Sequence, residues 1–175
     1  MKKNTFKGIF VIIITILLIG NTTSMYSTTI IEKIKLTIDE IPEGFMFGQV
    51  PDFAKGLLKN NPWNLDQDAI KKLTSRIYPG GEYSKISDIH MTIIANKKNP
   101  FGDEIGCYII LYKNAQSAKE ELTKLNEYVK YNNDRALIIE KNNLVVYLYV
   151  DDAGNYEHIE KLYETMKKKI EKDNG

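Results

Sequence analysis

The residues able to do chemistry are few and mostly apart. His90 and His158 are the only histidines, and Cys107 is the only cysteine. Asp88 and His90 stand two apart in an alternating stretch and so share a strand face, a spacing a metal site uses. Two ligands do not complete a zinc site, and no second pair stands at ligand spacing. A solvated strand face accounts for both residues, and a boundary position on a helix accounts for His158. Asp151, Asp152, Asn155 and Glu157 are acidic enough for calcium, but Ala153 occupies the third position, where an EF-hand loop needs an oxygen. Acids and Asn ahead of a helix explain these residues as helix-start chemistry. Asp103 with Glu104, and Glu120 with Glu121, are sequence neighbours that do not face one another, so neither makes an acid/base pair. No G-x-S-x-G, P-loop, dinucleotide fingerprint or H-E-x-x-H occurs. These residues give no reason to assign a catalytic residue, a metal ligand or a cofactor. An enzyme, such as a hydrolase, would need an unconventional site.

The constellation that stands out is aromatic. Period two places Tyr108, Ile110 and Tyr112 on one face of a strand, and Val145, Tyr147 and Tyr149 on one face of another. Large rings with hydroxyl tips make such a face able both to stack and to hydrogen-bond. Tyr108, Tyr112, Tyr147 and Tyr149 are therefore the candidate binding residues, for a ligand, a protein partner or a second copy of the chain. The competing expectation is a second core, with residues 30–80, including Phe45, Phe47 and Trp63, folded over it. RNA-recognition domains stack bases on such faces. Here no Lys/Arg pattern interleaves with the tyrosines and bulk charge is near zero, so nucleic acid is not expected.

The elements that must position these rings follow from periodicity. Ile89, Met91, Ile93 and Ala95 alternate with polar residues as a strand. Glu104 to Tyr112 is a second strand, with Cys107 on its aliphatic face beside Ile105, Ile109 and Leu111. Asn114 or Ser117 caps a helix to about Tyr131, with the stripe Ala118, Leu122, Leu125 and Val129. Arg135 to Glu140 and Leu144 to Val150 form a hairpin around Asn142-Asn143. A last helix runs to about Glu171, and its Lys167, Lys168 and Lys169 suit a helix C-terminus. The order strand–strand–helix occurs twice and aligns without a gap at an offset of 37 residues, placing Leu111 on Leu148, Tyr112 on Tyr149 and Leu125 on Leu162. An internal duplication and convergence both fit. Upstream, Ile30 to Ile38 is β-branched and reads as a strand. Residues 53–59 suit a short helix, Asn61-Pro62 is a break, and Asn64 caps a helix over about 65–78. The expected fold is α+β: a mostly antiparallel sheet, ββαββα, with both long helices on one face. A split or permuted ferredoxin-like sheet is the first expectation. Residues 30–80 form a less regular lead-in to the core at 82–175.

The chain has 175 residues, 43% hydrophobic and 27% charged, which suits one folded domain and excludes a disordered or multi-span chain. One cysteine excludes an internal disulfide framework. The net charge of +1 is unevenly held: Lys2, Lys3 and Lys7 give residues 1–24 a charge of +3, leaving −2 for the rest. Ile9 to Ile19 is unbroken and apolar, and Asn21-Thr22-Thr23-Ser24 is small and polar. This is the layout of a signal peptide cut after Ser24, with an uncleaved membrane anchor over residues 9–19 as the alternative. Abundant Ile, Lys, Asn and Tyr point to an AT-rich bacterial genome. The expectation is an exported bacterial protein, in the periplasm, on the cell surface or in the medium. It is read as a non-catalytic binding or accessory protein of the envelope, touching membrane only through its N-terminal segment. Secreted hydrolase and anchored outward-facing domain are the alternatives.

Overall fold

The computed structural model describes residues 30–173, apart from 51, 56, 57, 59–62, 101 and 103. The leader and the Asn61-Pro62 break lie outside the described residues. Among the described residues, no helix is long and apolar enough to cross a membrane.

The fold is α+β, built on one antiparallel sheet. Its strands are β1 (Phe45–Phe47), β2 (Ile86–Asn96), β3 (Glu104–Tyr112), β4 (Ala136–Lys141) and β5 (Leu144–Val150), in the spatial order β1-β2-β3-β5-β4. Three longer helices are α1 (Gln67–Ile77), α2 (Ala115–Lys130) and α3 (Tyr156–Lys172). Asp52–Lys55 is a short helix that overlaps the start of the stretch 53–59 expected to hold one. The β4–β5 hairpin closes through Asn142-Asn143, with Asn142 at φ 56°, a left-handed conformation that Asn tolerates better than most residues. Asn143 fastens this turn to β3: its side-chain amide donates to the Tyr112 carbonyl at 2.8 Å, and the Tyr112 N–H donates to the Asn143 carbonyl at 2.8 Å.

Strict alternation in β3 and β5 gives the sheet two apolar faces. Cys107 pairs with Leu148 and Ile109 with Val146, so the aliphatic sets of both strands share one side. On that side pack Ile159, Leu162, Met166 and Ile170 of α3, together with Ile30, Ile31 and Ile34. The other side carries Ile110, Tyr112, Val145 and Tyr147. It is covered by Ile70, Leu73 and Ile77 of α1 and by Ala118, Leu122 and Leu125 of α2. Each fully buried Leu or Ile contributes roughly 1.5–3 kcal/mol to either core.

The expectation of two long helices on one face is therefore corrected: α2 and α3 lie on opposite faces, and the molecule is three layers deep. A ferredoxin-like sheet, with its helices together, does not describe it. The connections explain the difference. Only Lys113 and Asn114 separate β3 from α2, and Asn114 caps the helix by accepting from the Ser117 N–H at 2.8 Å. Residues 151–155, including a 3-10 turn at Ala153–Asn155, separate β5 from α3 and allow the chain to reach the other side. The 37-residue correspondence thus matches β3 to β5 and Leu122 and Leu125 to the equally buried Ile159 and Leu162, but not the face each helix covers.

The strand expected at Ile30 to Ile38 is also corrected. Residues 30–34 are helical, and the Lys35 N–H donates to the Ile31 carbonyl at 2.9 Å. Ile30, Ile31 and Ile34 fall on one helical face and are buried, so tertiary burial overrides the β-branched preference. Lys169 of α3 holds the adjoining stretch, donating to the Lys35 carbonyl at 2.8 Å and to Glu40 at 2.6 Å.

A buried carboxylate locks α2 in place. Glu121 is fully buried; it accepts from the Tyr78 hydroxyl at 2.7 Å and the Glu82 N–H at 2.9 Å, and it pairs with Lys124 at 2.8 Å. The Tyr78 hydroxyl in turn meets that of Tyr112 at 3.0 Å. The buried hydroxyls of Tyr78 and Tyr112 and the Glu121 carboxylate thus satisfy one another, as burial requires.

Candidate ligand cavity

The register of β3, β5 and β4 sets the aromatic residues side by side. Tyr108 pairs with Tyr147, and Tyr149 pairs with Gly106 on one side and Ala136 on the other. The rings of Tyr108, Tyr147 and Tyr149 stack pairwise at centroid distances of 6.1, 6.0 and 5.8 Å, with interplanar angles of 11°, 16° and 22°. Gly106 makes this row possible. Its Cα lies under the Tyr149 ring, and a Cβ there would overlap ring atoms.

The four candidate tyrosines do not share one environment. Tyr112 is fully buried between α1 and α2, where its hydroxyl belongs to the Glu121 network. It is a core residue, closed to any ligand. Tyr108, Tyr147 and Tyr149 line a cavity of about 280 Å³. Tyr147 is buried, while Tyr108 and Tyr149 are half-buried. The expected cover from residues 30–80 comes from α1 and Tyr78. Phe45 instead joins the opposite core, where it meets the His158 ring edge-on at 4.9 Å, and Phe47 sits beside Trp63 at 6.4 Å.

Four chain segments complete the cavity wall. The last turn of α1 supplies Arg76 and Ile77, and the last turn of α2 supplies Tyr128, with Asn132 just beyond. The start of β4 brings Arg135 and Ala136, and the end of β5 brings Val150 and Asp151. Local hydrogen bonds fix this rim. Asn132 donates from its amide to the Tyr128 carbonyl at 3.0 Å, and the Arg135 N–H donates to the Asn132 carbonyl at 3.0 Å. Arg135 Nη1 donates to the Asp151 carbonyl at 2.9 Å, joining the two strand ends.

Burial sets the protonation of the phenols. It pushes Tyr108 up to about 12, although a hydroxyl contact with Tyr149 works the other way. Tyr147 and Tyr149 are likewise pushed above their ordinary range, chiefly by burial, then by Tyr128 and Tyr108 at Tyr147 and by Tyr108, Asp151 and Glu104 at Tyr149. All three rings are thus neutral at physiological pH and can donate or accept. Nearby, burial and then Asp151 raise the Glu104 carboxyl. Among the described residues, the cavity wall therefore combines tyrosine rings, neutral hydroxyls, two arginines, an asparagine and an aspartate.

The other chemically notable residues lie elsewhere. His90 is 2% exposed rather than solvated, correcting the sequence expectation. Residues 63–65 pair along β2 and cover it, with the Leu65 N–H donating to the Ile89 carbonyl and the Met91 N–H to the Trp63 carbonyl. Its Nδ1 lies 2.6 Å from Asn64 Oδ1, and burial, with the Lys35 charge second, lowers it to about 4. Among the described residues, no three His, Cys, Asp or Glu side chains are placed to hold a metal ion. Asp152 performs the helix-start role read from its sequence, accepting from the Gly154 N–H at 2.8 Å. Cys107 is fully buried, and burial raises its thiol to about 12, so it is inert packing.

Sequence reasoning missed Gly106, Arg76, Tyr128, Asn132 and Arg135. Two signals were present. Gly106 interrupts an otherwise large-residue strand, and a strand glycine often marks close approach of another group. Arg76 and Arg135 are the only arginines in the chain, against twenty-two lysines. No family model, curated protein or solved structure matches the chain.

Proposed function

We propose that the protein is an exported bacterial binding or accessory protein of the cell envelope, without catalytic activity, whose cavity beside Tyr108, Tyr147 and Tyr149 takes a small ring-bearing ligand. The observation that carries this reading is convergence. Stacked rings and polar side chains from α1, α2, β4 and β5 meet at one cavity of about 280 Å³. That is near the lower end of small-molecule sites, which run from about 300 to 1,000 Å³, and its wall joins aromatic rings to a largely polar lining. The basic, apolar and small-polar segments of the leader support export.

Saturation-transfer NMR with the intact chain tests the binding reading, using a panel of neutral and charged monosaccharides and aromatic acids. At least one ring compound is expected to receive saturation, and Tyr149→Ala is expected to remove its signal. A panel with no binder, or one whose binder ignores Tyr149→Ala, overturns the reading. Mass spectrometry of the protein from its host tests export: a chain starting near Met25 supports a cleaved leader, and an intact Met1 supports the anchored form.

A further inference from the structure

We infer that the ligand is acidic: a single sugar-like ring bearing a carboxylate or phosphate group, held at that group by Arg76 and Arg135. The inference rests on the binding reading above and adds the charge of the occupant. Its basis is the distribution of basic residues. The chain uses lysine for twenty-two of its 24 basic positions, yet both of its arginines line the same cavity and, among the described residues, no lysine does. The two side chains are not interchangeable. A guanidinium is always charged and presents a planar fork that matches two oxygens of a carboxylate or phosphate, whereas an ammonium is a strongly hydrated point charge.

The two arginines also arrive from separate elements, Arg76 from the end of α1 and Arg135 from the start of β4, so one short sequence motif does not explain their meeting. Arg135 has one Nη1 bond to the Asp151 carbonyl and a long 3.9 Å contact from Nε to Asp134. A backbone anchor of this kind fixes the fork before any ligand arrives, which lowers the entropic cost of binding. The remaining wall suits the rest of such a molecule. Tyrosine rings pack against the C–H faces of a pyranose, and the Asn132 amide and neutral phenols pair with its hydroxyls. Asp151 on this wall disfavours a ligand that is anionic all over and favours one anionic group on a polar ring.

Calorimetric titration of the intact chain with glucuronate, glucose 6-phosphate, glucose and inorganic phosphate tests the inference. One of the two acidic sugars is expected to bind at least tenfold more tightly than glucose, and which one does so identifies the oxyanion. The preference is expected to weaken as salt is raised and to vanish in Arg135→Gln, with Arg135→Lys restoring only part of it. If glucose binds as tightly as both acidic sugars, or if Arg135→Gln leaves the preference intact, the acidic ligand is refuted while the ring site stands. Binding of inorganic phosphate with no preference among the sugars means an adventitious ion only, and also refutes it. If none of the four binds while the wider panel yields a Tyr149-dependent neutral ring, the acidic inference fails alone. If that panel is also empty, both readings fail.

Discussion

Replacing Gly106 with alanine is a test of how the cavity wall is built. A Cβ at this position would overlap the Tyr149 ring, which is held between Gly106 and Ala136 by its register and stacked on Tyr108 and Tyr147. The ring must move, and inserting volume into such packing costs about 1–3 kcal/mol. In a chain of this size, each kcal/mol lowers the melting temperature by about 2–4 °C, so a loss of roughly 2–12 °C is expected. The informative comparison is a double-mutant cycle with Tyr149→Ala. Once the ring is gone, the added methyl group has space, and removing a strand glycine is worth roughly 0.5–1 kcal/mol in its favour. Gly106→Ala should therefore destabilise the parent chain and be neutral or stabilising in the Tyr149→Ala background. The coupling energy is expected at about 1.5–4 kcal/mol, read from urea unfolding midpoints at constant slope. Effects that add to within about 0.5 kcal/mol, the limit for independent sites, would show that the glycine does not seat the ring.

Other consequences are open to direct measurement. Tyr112→Phe removes one hydroxyl from the Tyr78–Glu121 network and should cost about 0.5–1.5 kcal/mol in urea unfolding, while leaving ligand affinity unchanged. His90 is held well below its ordinary 6.5, at about 4, so the unfolded chain gains this proton first. Its contribution is full above pH 6.5 and is lost as pH falls toward 4, by roughly 3 kcal/mol in total, and His90→Gln should flatten that part of the stability–pH curve. Burial alone would raise Glu121, but Lys124, the Glu82 N–H and Tyr78 outweigh it and hold the carboxyl below its ordinary 4.5. Its stabilisation is present above that pH and is lost as pH falls further, so Glu121→Gln should remove a separate, more acidic limb. Asn142→Ala places a poorly suited residue at φ 56° and should cost about 1 kcal/mol in thermal unfolding, whereas Asn142→Gly should not.

The sheet was legible because its rules are local. Alternation from Glu104 to Tyr112 and from Leu144 to Val150 places both strands at their observed ends, and Asn142-Asn143 sets the hairpin. Helix stripes such as Ile159, Leu162, Met166 and Ile170 were equally readable, since 3.6-residue periodicity is a property of one segment. Which face a helix covers is not. An apolar stripe fits either side of a sheet with two apolar faces, and here the connection decided, two residues after β3 against five after β5. The isoleucines at 30–34 deceived because burial on one helical face outweighs β-branched preference. At the site, period two found Tyr108, Tyr147 and Tyr149 but could not separate them from Tyr112, whose hydroxyl is taken by a tyrosine 34 residues upstream. Arg76 and Arg135 meet only through tertiary packing, so their shared cavity left no pattern in spacing.

The central claim is that a ligand sits against Tyr108, Tyr147 and Tyr149 and not against Tyr112. Tyrosine-selective ¹³C labelling of the intact chain, followed by ring NMR during titration with the best binder of the sugar panel, reads this residue by residue. The account predicts saturable shifts at Tyr108, Tyr147 and Tyr149, with Tyr128 at the rim responding and Tyr112 and Tyr78 unmoved. Shifts confined to other tyrosines, or binding that leaves the three stacked rings unchanged, would contradict it.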